Sequence, residues 1–144
     1  MEVNIKWVGG AAFEGSTQGG HTIMMDGPPE NGGRNLGPRP METVLLGMAA
    51  CSSYDVVSIL RKGRQDLSDC NVQVRARRAE TDPKVFTEIH LHFDLSGRGL
   101  STRHAERAIQ LSAEKYCSAT IMLGKTARIT HSFEIRETGG QHQG

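Results

Sequence analysis

The stretch PMETVLLGMAACSSYDVVSILRK, residues 40–62, constrains the fold more than any other part of the chain. Pro40 suits the first turn of a helix, where its missing N–H is harmless. Glu42 follows in that turn and favours the helix dipole, while Arg61 and Lys62 supply positive charge at the far end. Only Gly47 interrupts good helix formers, so the segment predicts one continuous helix. Up to Leu60 its apolar residues run round most of the circumference, which calls for burial on several sides. A chain of 144 residues with 37% hydrophobic content has only a modest core to offer. A second copy of the chain is therefore expected to cover part of this helix. Its longest apolar run, residues 44–51, is too short to span a bilayer.

Around the helix, strand signals come in groups. VNIKWV (3–8), AAFEGS (11–16) and HTIMMD (21–26) are separated by glycine pairs and predict a three-stranded antiparallel meander. The Gly- and Pro-rich residues 27–39 have no period and form a loop long enough to be functional or to cross between subunits. After Gly63, residues 71–80 and 85–97 read as two long strands joined around Asp82-Pro83. In the second, Thr87, Ile89, Leu91, Phe93 and Leu95 take one face, and Glu88, His90, His92 and Asp94 the other. Ser101 or Thr102 caps a second helix running to about Cys117. Its inner face is Ala105, Ala108, Ile109, Ser112, Ala113, Tyr116 and Cys117. A last strand, residues 127–137, sets Ile129, His131, Phe133 and Ile135 on one face. The order β-β-β-α-β-β-α-β predicts an α+β fold with antiparallel sheets. A single domain over residues 1–137 is expected, with a disordered tail at residues 138–144.

A formal net charge of +1 gives no electrostatic case for nucleic acid or membrane as partner. Strand alternation splits the basic run RARR (75–78) between two faces, which weakens a nucleic-acid role further. The start, MEVNIKWVGG, lacks the basic-then-apolar pattern of a signal segment, so a soluble cytoplasmic protein is expected. Three cysteines make no disulfide framework, and they show neither CxxC nor a Cys/His cluster with zinc-finger spacing. His90 and His92 are at most half of a metal site, His131 is most simply a core histidine, and Cys70 is structural.

Cys51 and Cys117 remain, on the inner faces of the two predicted helices. They are either small buried hydrophobes or a nucleophile with its resolving thiol. The second role needs a cation to hold Cys51 as thiolate. Met48 lines its face, and Asp55, one turn on, repels a thiolate. Arg34 and Arg39 in the long loop are possible suppliers of positive charge. Glu42, nine residues before Cys51, lies about 13 Å along the axis and roughly 180° around it. It cannot serve the cysteine of its own helix but could serve that of a second subunit.

PMETVLLGMAACSSYDVVSIL, LSAEKYCSATIML and ITHSFEI, with IKWVGG near the start, strongly resemble the OsmC/Ohr superfamily, in particular its OsmC-like branch of small redox proteins. The resemblance spans nearly the whole chain. It implies an intertwined homodimer whose two long central helices pack in the middle, with N-terminal strands crossing between chains. It also implies thiol-dependent reduction of hydroperoxides, organic ones above all. Cys51 would become a sulfenic acid, Cys117, just after Tyr116, would condense with it to a disulfide, and an external dithiol would restore both. No metal, flavin or haem enters that cycle. Active members ionise the thiol with an arginine and a glutamate from segments before the central helix. Here residues 1–33 contain no arginine, and Met41 takes the place after the proline where the pattern has the acid. Glu42 comes one residue later, a shift of about 100° round the helix. These departures leave a second possibility open: a non-catalytic dimer binding a small hydrophobic ligand in the interface cleft.

Overall fold

The computed structural model describes residues 1–138. The chain forms two compact units, Met1–Leu46 and a second that begins at Gly47. Of the tail expected at 138–144, residues 139–144 lie outside the described residues, and the Thr138 N–H donates to the Gly97 carbonyl at 2.9 Å.

In the first unit, β1 (Val3–Trp7), β2 (Phe13–Thr17) and β3 (Thr22–Met25) form the expected antiparallel meander. Trp7 pairs with Phe13, Phe13 with Met25 and Gly15 with Ile23, so Val3, Ile5, Trp7, Phe13, Ile23 and Met25 share one face. That face is open in the single chain: Val3 is 71% exposed and Trp7 64%. The loop after β3 contains a short 3-10 turn, Pro29–Asn31, and is organised by Asp26. The buried Asp26 carboxylate accepts the N–H groups of Gly27 (2.7 Å), Arg34 (3.1 Å) and Leu36 (3.2 Å). Gly33 is required within this fold of the loop, because a Cβ there would overlap the Gly27 carbonyl.

Burial pushes the Asp26 pKa up, but the three N–H donors and the Arg34 charge outweigh it and hold the pKa below the usual aspartate value. A carboxyl depressed in the folded state contributes stability above its unfolded pKa, and that contribution is lost as pH falls through the folded value. Asp26→Asn is therefore expected to lower the urea midpoint at pH 7. The gap from wild type should close as pH drops below about 4, and a gap independent of pH would count against this account.

Helix α1 (Pro40–Lys62) starts where Pro40 predicts. Glu42 accepts the Arg39 N–H at 2.8 Å, half of a capping box. Arg39 also donates from Nη1 to the Asn35 side chain at 2.6 Å. By length and a mean hydropathy of 1.6 the helix could cross a membrane. Its Ser52 is nevertheless buried against Ser112, both within the second unit, as in a core helix. Met48, Ser52, Val56 and Leu60 make one buried stripe, four residues apart. Burial on several sides is thus not met within one chain, since Tyr54 is 75% exposed.

The second unit continues with β4 (Asp66–Arg78), β5 (Phe86–Arg98), α2 (Thr102–Leu111), a π-helical turn (Ser112–Tyr116), α3 (Ser118–Leu123) and β6 (Arg128–Glu137). The sheet order is β4-β5-β6. The β4–β5 pair is antiparallel and β5–β6 is parallel. The sheet is therefore mixed, because the helical connection from β5 to β6 returns the chain to run alongside β5. Ile89, Leu91, Phe93 and Leu95 are buried as alternation predicts, but Thr87 is exposed and Phe86 is buried instead. Register moves from Arg77↔Glu88 to Arg78↔Phe86, so a bulge at Thr87 flips the phase. Ser101 caps α2, its hydroxyl accepting the His104 N–H at 3.2 Å.

His131 stacks on Phe93 with ring centroids 6.2 Å apart, and its Nε2 is buried with no hydrogen-bond partner among the described residues. Burial, helped by the nearby His90, lowers its pKa. On the other face, His90 contacts the hydroxyls of Thr130 (2.6 Å) and Ser132 (2.9 Å). His92 contacts Ser132 (2.6 Å) and Glu134 (3.1 Å). This is a side-chain ladder across β5 and β6.

Candidate functional site

Cys51 and Asp55 are four residues apart on α1 and share a face. Met48 and Ser52 lie on the neighbouring buried stripe. The opposing groups come from the end of α2. A uniform helix was expected to reach Cys117. Instead the chain widens to a π turn over Ser112–Tyr116, closed by the Cys117 N–H donating to the Ser112 carbonyl at 2.8 Å. Cys117 is extended (φ −82°, ψ 99°) and N-caps α3. Its sulfur accepts the Thr120 N–H at 3.4 Å and the Thr120 hydroxyl at 3.1 Å. Such turns are frequent at functional sites.

This break brings three groups together. The Cys51 and Cys117 sulfurs and an Asp55 carboxylate oxygen all lie within 4.8 Å of one another. The Ser112 hydroxyl donates to Asp55 Oδ2 at 3.0 Å. The Ser52 and Ser112 hydroxyl oxygens are 3.3 Å apart, and with the Ser112 hydrogen given to Asp55 it falls to Ser52 to donate. Both serines are buried, so each hydroxyl needs this pairing. In the sequence Ser112 reads only as an inner-face residue of the second helix. Its role as the donor to Asp55 carries no local signal.

The two thiols differ. Cys51 is half-buried and Cys117 fully buried. Burial pushes the Cys117 thiol up; the two Thr120 hydrogen bonds oppose this, and the adjacent Cys51 adds to it. Cys117 therefore rests as S–H at neutral pH. Brief treatment with iodoacetamide at pH 8 should label Cys51 well before Cys117, which becomes reactive only in denaturant. Equal labelling in the native protein would contradict the burial.

The other expected residues are placed as follows. Tyr116 is exposed, with the Lys115 ammonium 5.4 Å from its ring centroid. Arg34, Arg39 and Glu42 belong to the first unit, where Arg34 and Arg39 donate backbone N–H groups to Asp26 and Glu42. Cys70 lies on β4, half-buried, its thiol pushed up by burial and by Asp69. His90 and His92 meet hydroxyls and Glu134.

The sequence model of the family described as OsmC-like protein matches residues 32–132. Protein YhfA of Escherichia coli (strain K12) is 50% identical over 135 residues, which is 94% of this chain and 98% of that protein. A crystal structure of a hypothetical protein from Aquifex aeolicus VF5 superposes with a TM-score of 0.84 at 30% identity, covering 95% of this chain and 96% of the other. The crystal structure of an organic hydroperoxide resistance protein OsmC from Legionella pneumophila superposes with a TM-score of 0.70 at 20% identity, covering 93% and 97%. At that identity the likeness is one of fold.

Proposed function

The chain belongs to the OsmC-like protein family, and on that premise we propose that it is a thiol-dependent peroxidase acting on hydroperoxides, organic ones in particular. The observation that carries this is the pairing of an accessible thiol with a buried one within 4.8 Å. The Cys51 sulfur attacks the peroxide O–O bond. The alkoxide leaves as alcohol, and Cys51 becomes a sulfenic acid. The Cys117 sulfur then attacks the Cys51 sulfur, its thiol proton leaves with the hydroxyl as water, and a disulfide remains. Closing to an S–S bond of about 2.05 Å needs a movement of no more than about 3 Å. An external dithiol reduces the bond by exchange. The resting S–H state of Cys117 suits a resolving thiol, which needs no activation before the sulfenic acid forms.

The proposal includes a cytoplasmic homodimer without nucleic-acid or membrane partners. The open apolar face of the meander and the exposed residues of α1 support a second copy. In that dimer Glu42, Arg34 and Arg39 are the candidates to ionise Cys51. A stable folded monomer in sedimentation at micromolar concentration would overturn the dimer.

Thiol titration tests the chemistry. The reduced chain carries three cysteines, and modest excess of an organic hydroperoxide should consume two per chain, leaving Cys70 free. Retention of all three thiols would reject the peroxidase and leave ligand binding by a non-catalytic dimer.

A further inference from the structure

We propose that Cys51, Cys117 and Asp55 form a binding site for one divalent cation of the zinc class, with water completing the coordination. The proposal goes beyond the peroxidase cycle and does not depend on it. Two sulfurs and a carboxylate oxygen converge within 4.8 Å from α1 and the segment after the π turn. Around a tetrahedral zinc, with Zn–S near 2.3 Å and Zn–O near 2.1 Å, donor atoms stand roughly 3.5–3.8 Å apart. Side-chain adjustments of about 1 Å therefore reach that geometry.

The donor chemistry selects the ion. Two thiolates exclude calcium and magnesium, which take oxygen ligands, and favour zinc or its substitute cobalt. Three protein ligands and one open position suit Cys51 and Asp55, which are only half-buried and give an ion a way in.

The surroundings are built to hold such a set. The Ser112 hydroxyl fixes the Asp55 carboxylate by Oδ2, and buried Ser52 backs Ser112, an outer layer of the kind that orients metal ligands. The Cys117 sulfur accepts two hydrogen bonds from Thr120, which a metal-bound thiolate also accepts. The cation also gives Asp55 a task. Beside a catalytic thiolate a carboxylate is repulsive, and peroxide reduction assigns it no step. Beside two thiolates on a divalent ion it is a third ligand.

Cobalt titration of the fully reduced, metal-free protein without peroxide tests this. A sulfur-to-cobalt charge-transfer band in the near ultraviolet should saturate at one ion per chain and vanish on adding zinc. Protons should be released as the thiols ionise. Cys51→Ser and Cys117→Ser should each lose the stoichiometric band. Asp55→Asn should weaken cobalt binding by about 10- to 100-fold, and Cys70→Ser should leave it unchanged. Absence of the band in the folded wild type, or its survival in Cys51→Ser or Cys117→Ser, overturns the site. The two functions fail separately. No band with two thiols still lost to peroxide removes the metal site alone, and a stoichiometric band with peroxide-resistant thiols removes the peroxidase alone.

Discussion

Replacing Cys51 with serine is expected to lower hydroperoxide consumption by a factor on the order of 10³ or more, because a hydroxyl at that position is too weak a nucleophile to open the O–O bond. Cys117→Ser should behave differently. It keeps the attacking sulfur, so one equivalent of peroxide is still consumed in a single turnover, but the sulfenic acid persists instead of condensing. Stopped-flow peroxide loss and intact mass distinguish the two. The Cys51 variant gains no oxygen at modest peroxide excess. The Cys117 variant gains one, and trapping by a sulfenic-acid reagent shows where. Equal multiple-turnover rates in wild type and Cys51→Ser would remove Cys51 from the chemistry altogether.

The largest expected effect on stability is at Phe93. It is fully buried in the middle strand, opposite Val72 on β4 and Phe133 on β6, and stacked with His131. Phe93→Ala removes a ring that the surrounding sheet and helices cannot refill, at a cost of about 3–5 kcal/mol. In a chain of this size that lowers Tm by roughly 10–20 °C. Calorimetry reads it directly, and a drop of under about 3 °C would mean that the core collapses around the gap.

How far the sequence went depends on the range over which each feature is decided. Helix α1 was legible because Pro40, Glu42 and an unbroken run of helix formers are local signals, and Glu42 does cap the Arg39 N–H. The family followed from motifs around both cysteines. The phase of β5 was legible from Ile89 on, but not at Thr87, since a bulge is agreed between two strands and leaves no mark on one. The parallel direction of β6 was hidden because alternation says which face a residue takes and not which way the strand runs. The break after Leu111 was the costliest omission. Ser112, Ala113, Glu114 and Lys115 are acceptable in a helix. The π turn instead coincides with a tertiary bond, from Ser112 to an aspartate 57 residues away. No metal set was expected, because Cys117 joins Cys51 and Asp55 only through that break.

The ladder of side chains across β5 and β6 permits only one arrangement of its hydrogens while both imidazoles are neutral. A carboxylate only accepts, so His92 must place its hydrogen on Nε2, facing Glu134. Its Nδ1 then accepts, and Ser132 must donate to it. Ser132 has a single hydrogen, so its oxygen takes the Nε2–H of His90, whose Nδ1 is left to accept from Thr130. One acid at the end of the row thereby dictates the tautomer of two rings and the rotation of two hydroxyls. The outer surface of this strand pair therefore carries a single sense of donation, running across four contacts from Thr130 to Glu134.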